Sequence, residues 1–596
     1  MTKKEILKKY FGFKSFRSIQ EKAIDKILNK ESILVVLPTG SGKSLIYQLP
    51  TIMMSGVTVV ISPLIALMQD QVANLNANGI SAKIISSHNS FEENNQVFEE
   101  LSQNKLKFLY VAPERFSNNF FISQLKKINI NFFVIDEAHC VSEWGHEFRD
   151  DYRKLSLLRE MFQYTPIATF TATATKSVQE DIVKTLKIPS KNILKTSINR
   201  TNLFIRTQRR VGAGKKQIKA FLDTHHDECG IVYCFSRKEC ENLSHYLNQN
   251  NYKTLAYHAG LSNNTRDEIF KKFKNEDIKI IVATIAFGMG IDKANIRFIL
   301  HTSMPKTLEN YSQEIGRAGR DGLNSDVLLL FSKADEISKQ RFIDELPQSI
   351  YKTTAYNKLQ TMYRFCITNR CRHQYLAEYF DDKTTPCKTL CDNCVDEKKE
   401  QTDITIQAQK FLSTIYRTGE RFGQNHIIDI LRGSKNKKIL ELNHDKLSVY
   451  GIGQDFSKEE WSLVVDKLLD MDAIMIEGEF RVLKLTLVAK KILKKELLVN
   501  IDKKLLQKQK VFKEYKKDDM KNPYFEEFRK LRYEISKKEG VPPYIIFNDK
   551  TLNLIALNLP TSKDEFLSIN GVGEMKLEKY GDIFMKLAKE IKEKNE

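Results

Sequence analysis

Four groups of residues in this chain of 596 have types and spacings that suit chemistry. The first is Thr39-Gly40-Ser41-Gly42-Lys43-Ser44, a small-residue loop ending in a lysine and a hydroxyl. Backbone N–H groups of such a loop converge on phosphate oxygens, and the dipole of the following helix adds positive charge. Lys43 would then reach the β- and γ-phosphates while Ser44 holds Mg²⁺. Leu37 stands where the general pattern has its leading glycine. The second group is Asp136-Glu137. Asp136 would coordinate Mg²⁺, directly or through water, and Glu137 would position and deprotonate an attacking water. Arg317 and Arg320, one helical turn apart, form the third. Such a pair can face a nucleotide held by an opposite lobe and stabilise charge developing on the transferred phosphoryl group. The fourth is Cys371, Cys387, Cys391 and Cys394, spaced C-x15-C-x3-C-x2-C. Four thiolates close a tetrahedral structural Zn²⁺ site and leave no open position for catalysis, with Cys366 or His373 as the alternative ligand for the fourth place.

These residues need elements to carry them. Ile33–Leu37 has the length and β-branched content of a strand buried on both faces, and Lys43 restarts the chain as a helix. Val57–Ile61, Phe108–Val111, Phe132–Ile135 and Ile167–Phe170 read as further strands, so Asp136 and Glu137 fall at the carboxyl edge of a parallel sheet, where ligands bind in such folds. Asn199–Gln217 is polar, basic and glycine-containing and reads as a hinge. A second alternation follows, with strands at Ile231–Phe235, Lys279–Thr284, Phe298–Thr302 and Val327–Phe331 and no phosphate loop of its own. ATP bridging the two lobes would couple hydrolysis to opening and closing of the cleft. Upstream, a helix from Phe16 would put Arg17 and Gln20 on one face. The Gln20 amide can then read an adenine edge while Phe13 stacks on the base. Cys371 is expected on a helix, Arg364–Phe380, with the other three thiols in the loop after it.

The net charge of +19 suggests a polyanionic partner, with nucleic acid ahead of an anionic membrane. The length implies roughly three to five domains. The first residues lack the apolar core of a signal peptide, and the most apolar window, Ile52–Met68, is broken by Ser55, Gly56, Ser62 and Pro63. Nine cysteines lie unevenly, five of them between Cys366 and Cys394, which suits a reducing cytoplasm with one metal site rather than a disulfide framework. The polar run after Glu137 interleaves Trp144, His146 and Phe148 with Arg149. Exposed aromatics beside a cation suit base stacking on single-stranded nucleic acid.

The run Phe11–Gln20, TGSGKS, DEAH followed by CVSEWGHEFR, and TATAT at Thr171–Thr175 closely resemble the RecQ family of superfamily-2 DNA helicases. RFGQNHIIDILRGS and HDKLSVYGIG resemble that family's winged helix, and VPPYIIFNDKTL with NGVGEMKLEKYG resembles its HRDC domain. The resemblance implies an α/β fold with two tandem RecA-like lobes over residues 1–205 and 206–345. A zinc-binding module at 346–400, an α+β winged helix at 401–488, a basic linker at 489–520 and an all-α HRDC domain at 521–596 would follow. It further implies that Arg320 is an arginine finger with Arg317 beside it, that Gln313 contacts nucleotide or water, and that Ser236-Arg237 and His258–Gly260 grip the nucleic-acid backbone. Tyr544 suits either stacking on DNA or a place in the core. The wing's turn, Glu477-Gly478-Glu479, is acidic, which leaves Phe480 as the only expected wedge. The implied function is ATP- and Mg²⁺-dependent 3′–5′ unwinding by a cytoplasmic monomer on single-stranded and forked DNA, in recombination, repair and the SOS response, with a single-stranded-DNA-binding protein as a partner. An RNA helicase on the same core and a non-catalytic DNA-binding scaffold are the alternatives. The winged helix and HRDC domain disfavour the first, and intact Lys43, Ser44, Asp136, Glu137 and Arg320 disfavour the second.

Overall fold

Short apolar runs rich in Val, Ile and Phe fold here as strands covered on both faces. The first sheet comprises β1 (Ile33–Val36), β2 (Val57–Ile61), β3 (Ala82–Ile85), β4 (Phe108–Val111), β5 (Ile130–Ile135), β6 (Ile167–Thr171) and β7 (Ile193–Lys195). Its order is β3-β4-β2-β5-β6-β1-β7, with every pairing parallel. All residues of β1, β2, β4 and β6 are buried, as a parallel sheet with helices on both faces requires. The second sheet comprises β8 (Leu203–Arg209), β9 (Cys229–Tyr233), β10 (Thr254–Tyr257), β11 (Ile280–Ala283), β12 (Ile296–His301) and β13 (Ser325–Phe331). Its order is β10-β11-β9-β12-β13-β8, again all parallel. This is a computed structural model that describes residues 1–86, 89–142, 149–288, 293–347, 350–395, 400–478, 481–503 and 522–594.

The hinge expected over Asn199–Gln217 is shorter than the sequence suggests. β8 occupies Leu203–Arg209 and a helix begins at Lys215, so the crossing between lobes narrows to the residues between β7 and β8. β8 reads as polar because it is an edge strand of its sheet. The zinc module covers that edge. The Ile205 N–H donates to the Leu390 carbonyl at 3.0 Å, and the Thr207 N–H donates to Asp392 Oδ2 at 2.9 Å.

Two helices, Ile350–Ile367 and Arg372–Tyr379, stand where a single one from Arg364 was expected, and Cys371 is the N-cap of the second. Helices Thr405–Arg417, Gln424–Leu431, Lys437–Glu441 and Lys458–Asp470 and the hairpin Ile474–Glu477/Val482–Leu485 build the winged helix. Asn500–Asp502, inside the expected linker, instead pairs antiparallel with Gln401–Asp403 and closes the base of this domain. The winged helix is tied to the second lobe through buried Asp466, which pairs with Arg209 and accepts from the Tyr363 hydroxyl at 2.9 Å. The last domain holds helices Phe525–Glu539, Pro543–Ile546, Asp549–Asn558, Lys563–Leu567 and Glu574–Glu593 around a core that includes Phe528, Phe547, Phe566 and Phe584. It touches both lobes. The Gly571 N–H donates to the Gly12 carbonyl at 2.9 Å, and Lys537 pairs with Asp277 at 2.6 Å.

Candidate ATPase site, zinc centre and nucleic-acid interface

β1 runs into the loop Pro38–Gly42, and the helix Lys43–Met53 starts at the lysine. Gly40 and Gly42 both take left-handed backbone, φ +81° and +80°, which a side chain would strain. Leu37 replaces the leading glycine without penalty because it extends the strand into the core, with its N–H on the Thr171 carbonyl. The loop is braced from behind by Gln20. Its Nε2 donates to the Ser41 and Gly42 carbonyls, each at 3.2 Å, and its Oε1 accepts from the Arg17 N–H at 2.8 Å. Both amide N–H bonds of Gln20 are therefore engaged with the loop. The helix begins at Gln20 rather than Phe16, so Arg17 precedes it in an exposed turn, while Phe13 packs partly buried on the first lobe.

β5 delivers the two acids to the carboxyl edge beside this loop. Asp136 is buried, and burial together with the Glu137 carboxylate pushes its pKa up to about 6. Glu137 has φ +48°, an uncommon conformation for a residue with a side chain, of the kind found where a site holds strain. His139 links this edge to three motifs. Its Nδ1 lies 3.3 Å from Glu137 Oε2 and 3.1 Å from Thr171 Oγ1, and its Nε2 is 3.4 Å from Gln313 Nε2 in the second lobe. One tautomer serves the two hydrogen bonds: Nδ1–H donates to Thr171 Oγ1, and Nε2 accepts from the Gln313 amide. Sequence reasoning missed His139, although its place in the DEAH run was the available signal.

The second lobe closes on the phosphate loop through Gly316–Arg320. A Cβ added at Gly40 would lie 3.1 Å from Arg320 Cα, and one at Gly316 would lie 3.1 Å from Thr39 Oγ1. Arg320 thus stands against the loop that ends in Lys43 and Ser44. Arg317 lies three residues before it on the same loop. It is buried within its own lobe, with Nη2 beside Gly288.

The four thiols come together. The Sγ atoms of Cys371, Cys387, Cys391 and Cys394 all lie within 4.8 Å of one another, as ligands of one ion require. Arg372 locks the loop that carries three of them, pairing with Asp392 at 2.7 Å and donating to the Phe365 carbonyl at 2.6 Å. Cys366 lies in the apolar core instead. His373 faces the hinge, with Nδ1 2.7 Å from Asn199 Oδ1 and Nε2 about equally close to the Leu203 and Leu390 carbonyls, at 3.1 and 3.0 Å. Removing Zn²⁺ with a chelator is expected to lower the thermal unfolding midpoint, since structural sites of this kind supply on the order of 10–16 kcal/mol to small modules. Unchanged unfolding after complete, measured zinc loss would count against a structural role.

Matches to known proteins follow the same order along the chain. Residues 17–182 match the DEAD/DEAH box helicase family, 214–322 the helicase conserved C-terminal domain, 333–395 RecQ zinc-binding, 398–510 the RQC domain and 522–587 the HRDC domain. The ATP-dependent DNA helicase RecQ of Haemophilus influenzae is 40% identical over 594 residues, covering 98% of this chain and 96% of that protein. The chain belongs to the RecQ family of ATP-dependent DNA helicases. The Bacillus subtilis protein of the same name is also 40% identical, with 97% of each chain covered.

Trp144, His146 and Phe148 lie outside the described residues, as does Phe480 of the wing. Arg149 is partly buried at the exit of that segment, its N–H on the Cys140 carbonyl at 3.1 Å. Ser236 caps the helix Arg237–Gln249 by accepting from the Glu239 N–H, and His258 is buried against Glu241 at 3.0 Å. Tyr544 does not offer a stacking face in this arrangement. It is 8% exposed at the seam with the second lobe, its ring 5.5 Å from the Lys293 ammonium. Arg432, Lys435, Lys437 and Lys438 are all exposed on the winged helix. Arg481, at the wing's far end, is instead held on the second lobe by Glu336 and by Gln340 Oε1 at 2.7 Å. Among the described residues no helix is long and apolar enough to cross a membrane.

Proposed function

We propose that this helicase couples Mg²⁺-dependent ATP hydrolysis in the cleft between its lobes to 3′–5′ movement along single-stranded DNA, and so separates duplexes during recombination and repair. The observation that carries the reading is the approach of the Arg320 backbone to Gly40, which sets an arginine of one lobe on the chain segment that meets the phosphate loop of the other. Thr39–Gly42 bind the triphosphate through backbone N–H groups, and Lys43 balances its charge. Glu137, oriented by His139, takes the proton of the attacking water. Arg320 stabilises the charge that builds on the transferred phosphoryl group, and Gln313 reports that state to His139. Trp144, His146, Phe148 and Arg149 are proposed to contact the single strand.

The donor set fits Mg²⁺. Asp136 is a buried carboxylate whose ionised form is disfavoured by burial and by Glu137, and the charge of Lys43, the neighbour of Ser44 in the phosphate loop, reaches it. When bound there, the ion would neutralise the β- and γ-phosphate oxygens. Asp136 must be ionised to act as a ligand, so Mg²⁺ binding displaces a proton below about pH 6. The Mg²⁺ concentration for half-maximal turnover is therefore expected to rise steeply as pH falls from 7 to 5, by up to about tenfold per unit. A requirement independent of pH across that range would remove Asp136 from the ligand set.

The direct test of the function is unwinding of duplexes carrying a 3′ tail, a 5′ tail or a fork, with Mg²⁺ and ATP. Unwinding confined to 3′-tailed and forked substrates supports the reading, and unwinding from a 5′ tail reverses the polarity. Family membership alone supports work as a cytoplasmic monomer, a role in the SOS response and partnership with a single-stranded-DNA-binding protein.

A further inference from the structure

Arg200 stands at the crossing between β7 and β8 and has no role in the mechanism proposed for the cleft. Its guanidinium spans that cleft. Nη1 donates to the Thr39 carbonyl of the phosphate loop at 2.6 Å and to the Gly316 carbonyl at 3.3 Å. Nη2 donates to the carbonyls of Ala318 at 2.9 Å and Gly319 at 2.8 Å, and Nε donates to Asn202 Oδ1 at 3.2 Å. All five N–H bonds are used, and every acceptor is a neutral oxygen. Asn202 completes the clasp, its Nδ2 donating to Gly319 and Leu323 carbonyls at 2.9 and 2.8 Å.

The loop held in this way is Gly316–Gly319, and the next residue is Arg320. Gly319 has φ +58°, and a Cβ added there would lie 2.4 Å from Asn202 Nδ2, so the loop is shaped to receive the clasp. Burial and the like charge of Arg320 draw Arg200 down to about 10, which leaves it protonated at neutral pH. A buried cation ordinarily stands against a carboxylate. Here its partners are backbone carbonyls of two loops from opposite lobes, a geometry that one planar fork can reach and one ammonium cannot.

We propose that Arg200 is a positioning residue for ATP hydrolysis, tying the loop that carries Arg320 to the phosphate loop when the lobes are closed. Most of its bonds are to the second lobe, so it travels with that lobe and makes the Thr39 bond only on closure. Arg320 is then presented at one fixed place rather than over a range of positions. This rests on the reading of Arg320 as the finger. A misplacement of about 1 Å at a reacting centre costs on the order of 10²-fold in rate.

The test compares Arg200→Ala, Arg200→Lys, Arg320→Ala and the Arg200→Ala/Arg320→Ala double variant in DNA-saturated ATP turnover. A fluorescent ATP analogue reports binding, and thermal unfolding reports the fold. Both Arg200 variants are expected to lose about 10²-fold in kcat with KM and analogue affinity within a few-fold. The double variant is expected to turn over no more slowly than Arg320→Ala alone, a non-additivity that a merely structural role would not produce. Unchanged kcat at Arg200, losses that add in the double variant, or a fall in analogue affinity that accounts for the rate would each overturn the proposal. Arg200→Lys keeps the charge and a bond to one loop, so it carries the test where alanine does not fold. Loss of fold in both makes Arg200 a determinant of the fold and overturns it as well. Full turnover in Arg320→Ala would instead strike the underlying reading, and this proposal with it.

Discussion

Arg320→Ala is expected to slow DNA-stimulated ATP turnover by about 10³-fold or more while ATP still binds within a few-fold of the parent. The asymmetry follows from where the charge appears. A guanidinium that meets the triphosphate from the opposite lobe contributes most when negative charge has moved onto the transferring group, so its loss falls on kcat rather than KM. The structure places the Arg320 backbone against Gly40, with no room for a side chain between them. Arg320→Lys is expected to restore little, because a point charge does not reproduce a planar fork. Steady-state kinetics with saturating single-stranded DNA, beside binding of a fluorescent analogue, makes the comparison. Turnover within tenfold of the parent would show that this arginine does not enter the reaction.

Lys43→Ala is expected to abolish both hydrolysis and unwinding. The lysine opens the helix Lys43–Met53 directly behind two left-handed glycines, so the loop's N–H groups, the helix dipole and the ammonium address one volume. Removing the ammonium leaves the β- and γ-phosphate charge opposed only by partial charges. Unlike the arginine variant, this one is expected to weaken nucleotide binding together with turnover, since the lysine acts in the ground state as well. An ATPase assay with and without DNA separates the outcomes. DNA-dependent turnover that persists would remove the lysine from its assigned place. A parent protein with no turnover at all would favour the scaffold alternative.

The chemistry of local motifs is legible in the order of residues. TGSGKS, the strand ending in Asp136-Glu137 and the four cysteines each need only neighbouring residues and a strand or turn to take shape. The thiols do meet within 4.8 Å. Strands buried on both faces are equally legible, because β1 and β4 are continuous apolar runs and β2 is broken only by Thr58. Edge strands are not. β8 reads as a polar hinge because its outer side is satisfied by the zinc module rather than by another strand, a relation between residues distant along the chain, as the Thr207–Asp392 bond illustrates. Gln20 shows the same limit at a site. Its amide could equally read a base or brace a loop, and only the fold brings the Ser41 and Gly42 carbonyls within its reach.

The phosphate loop, the paired acids and the metal-binding thiols follow from the amino-acid order, since each rests on short-range spacing that a folded environment need only preserve, whereas the order of the domains follows from the resemblance of longer runs to the RecQ family. Three further features emerge only in the closed fold. The backbone of Arg320 meets the phosphate loop, Tyr544 is covered by the second lobe, and Arg200 joins both walls of the cleft. Those outcomes depend on how two sheets and a distant helical domain close on one another. Side chains far apart along the chain acquire partners only at that closure, and no local pattern records them.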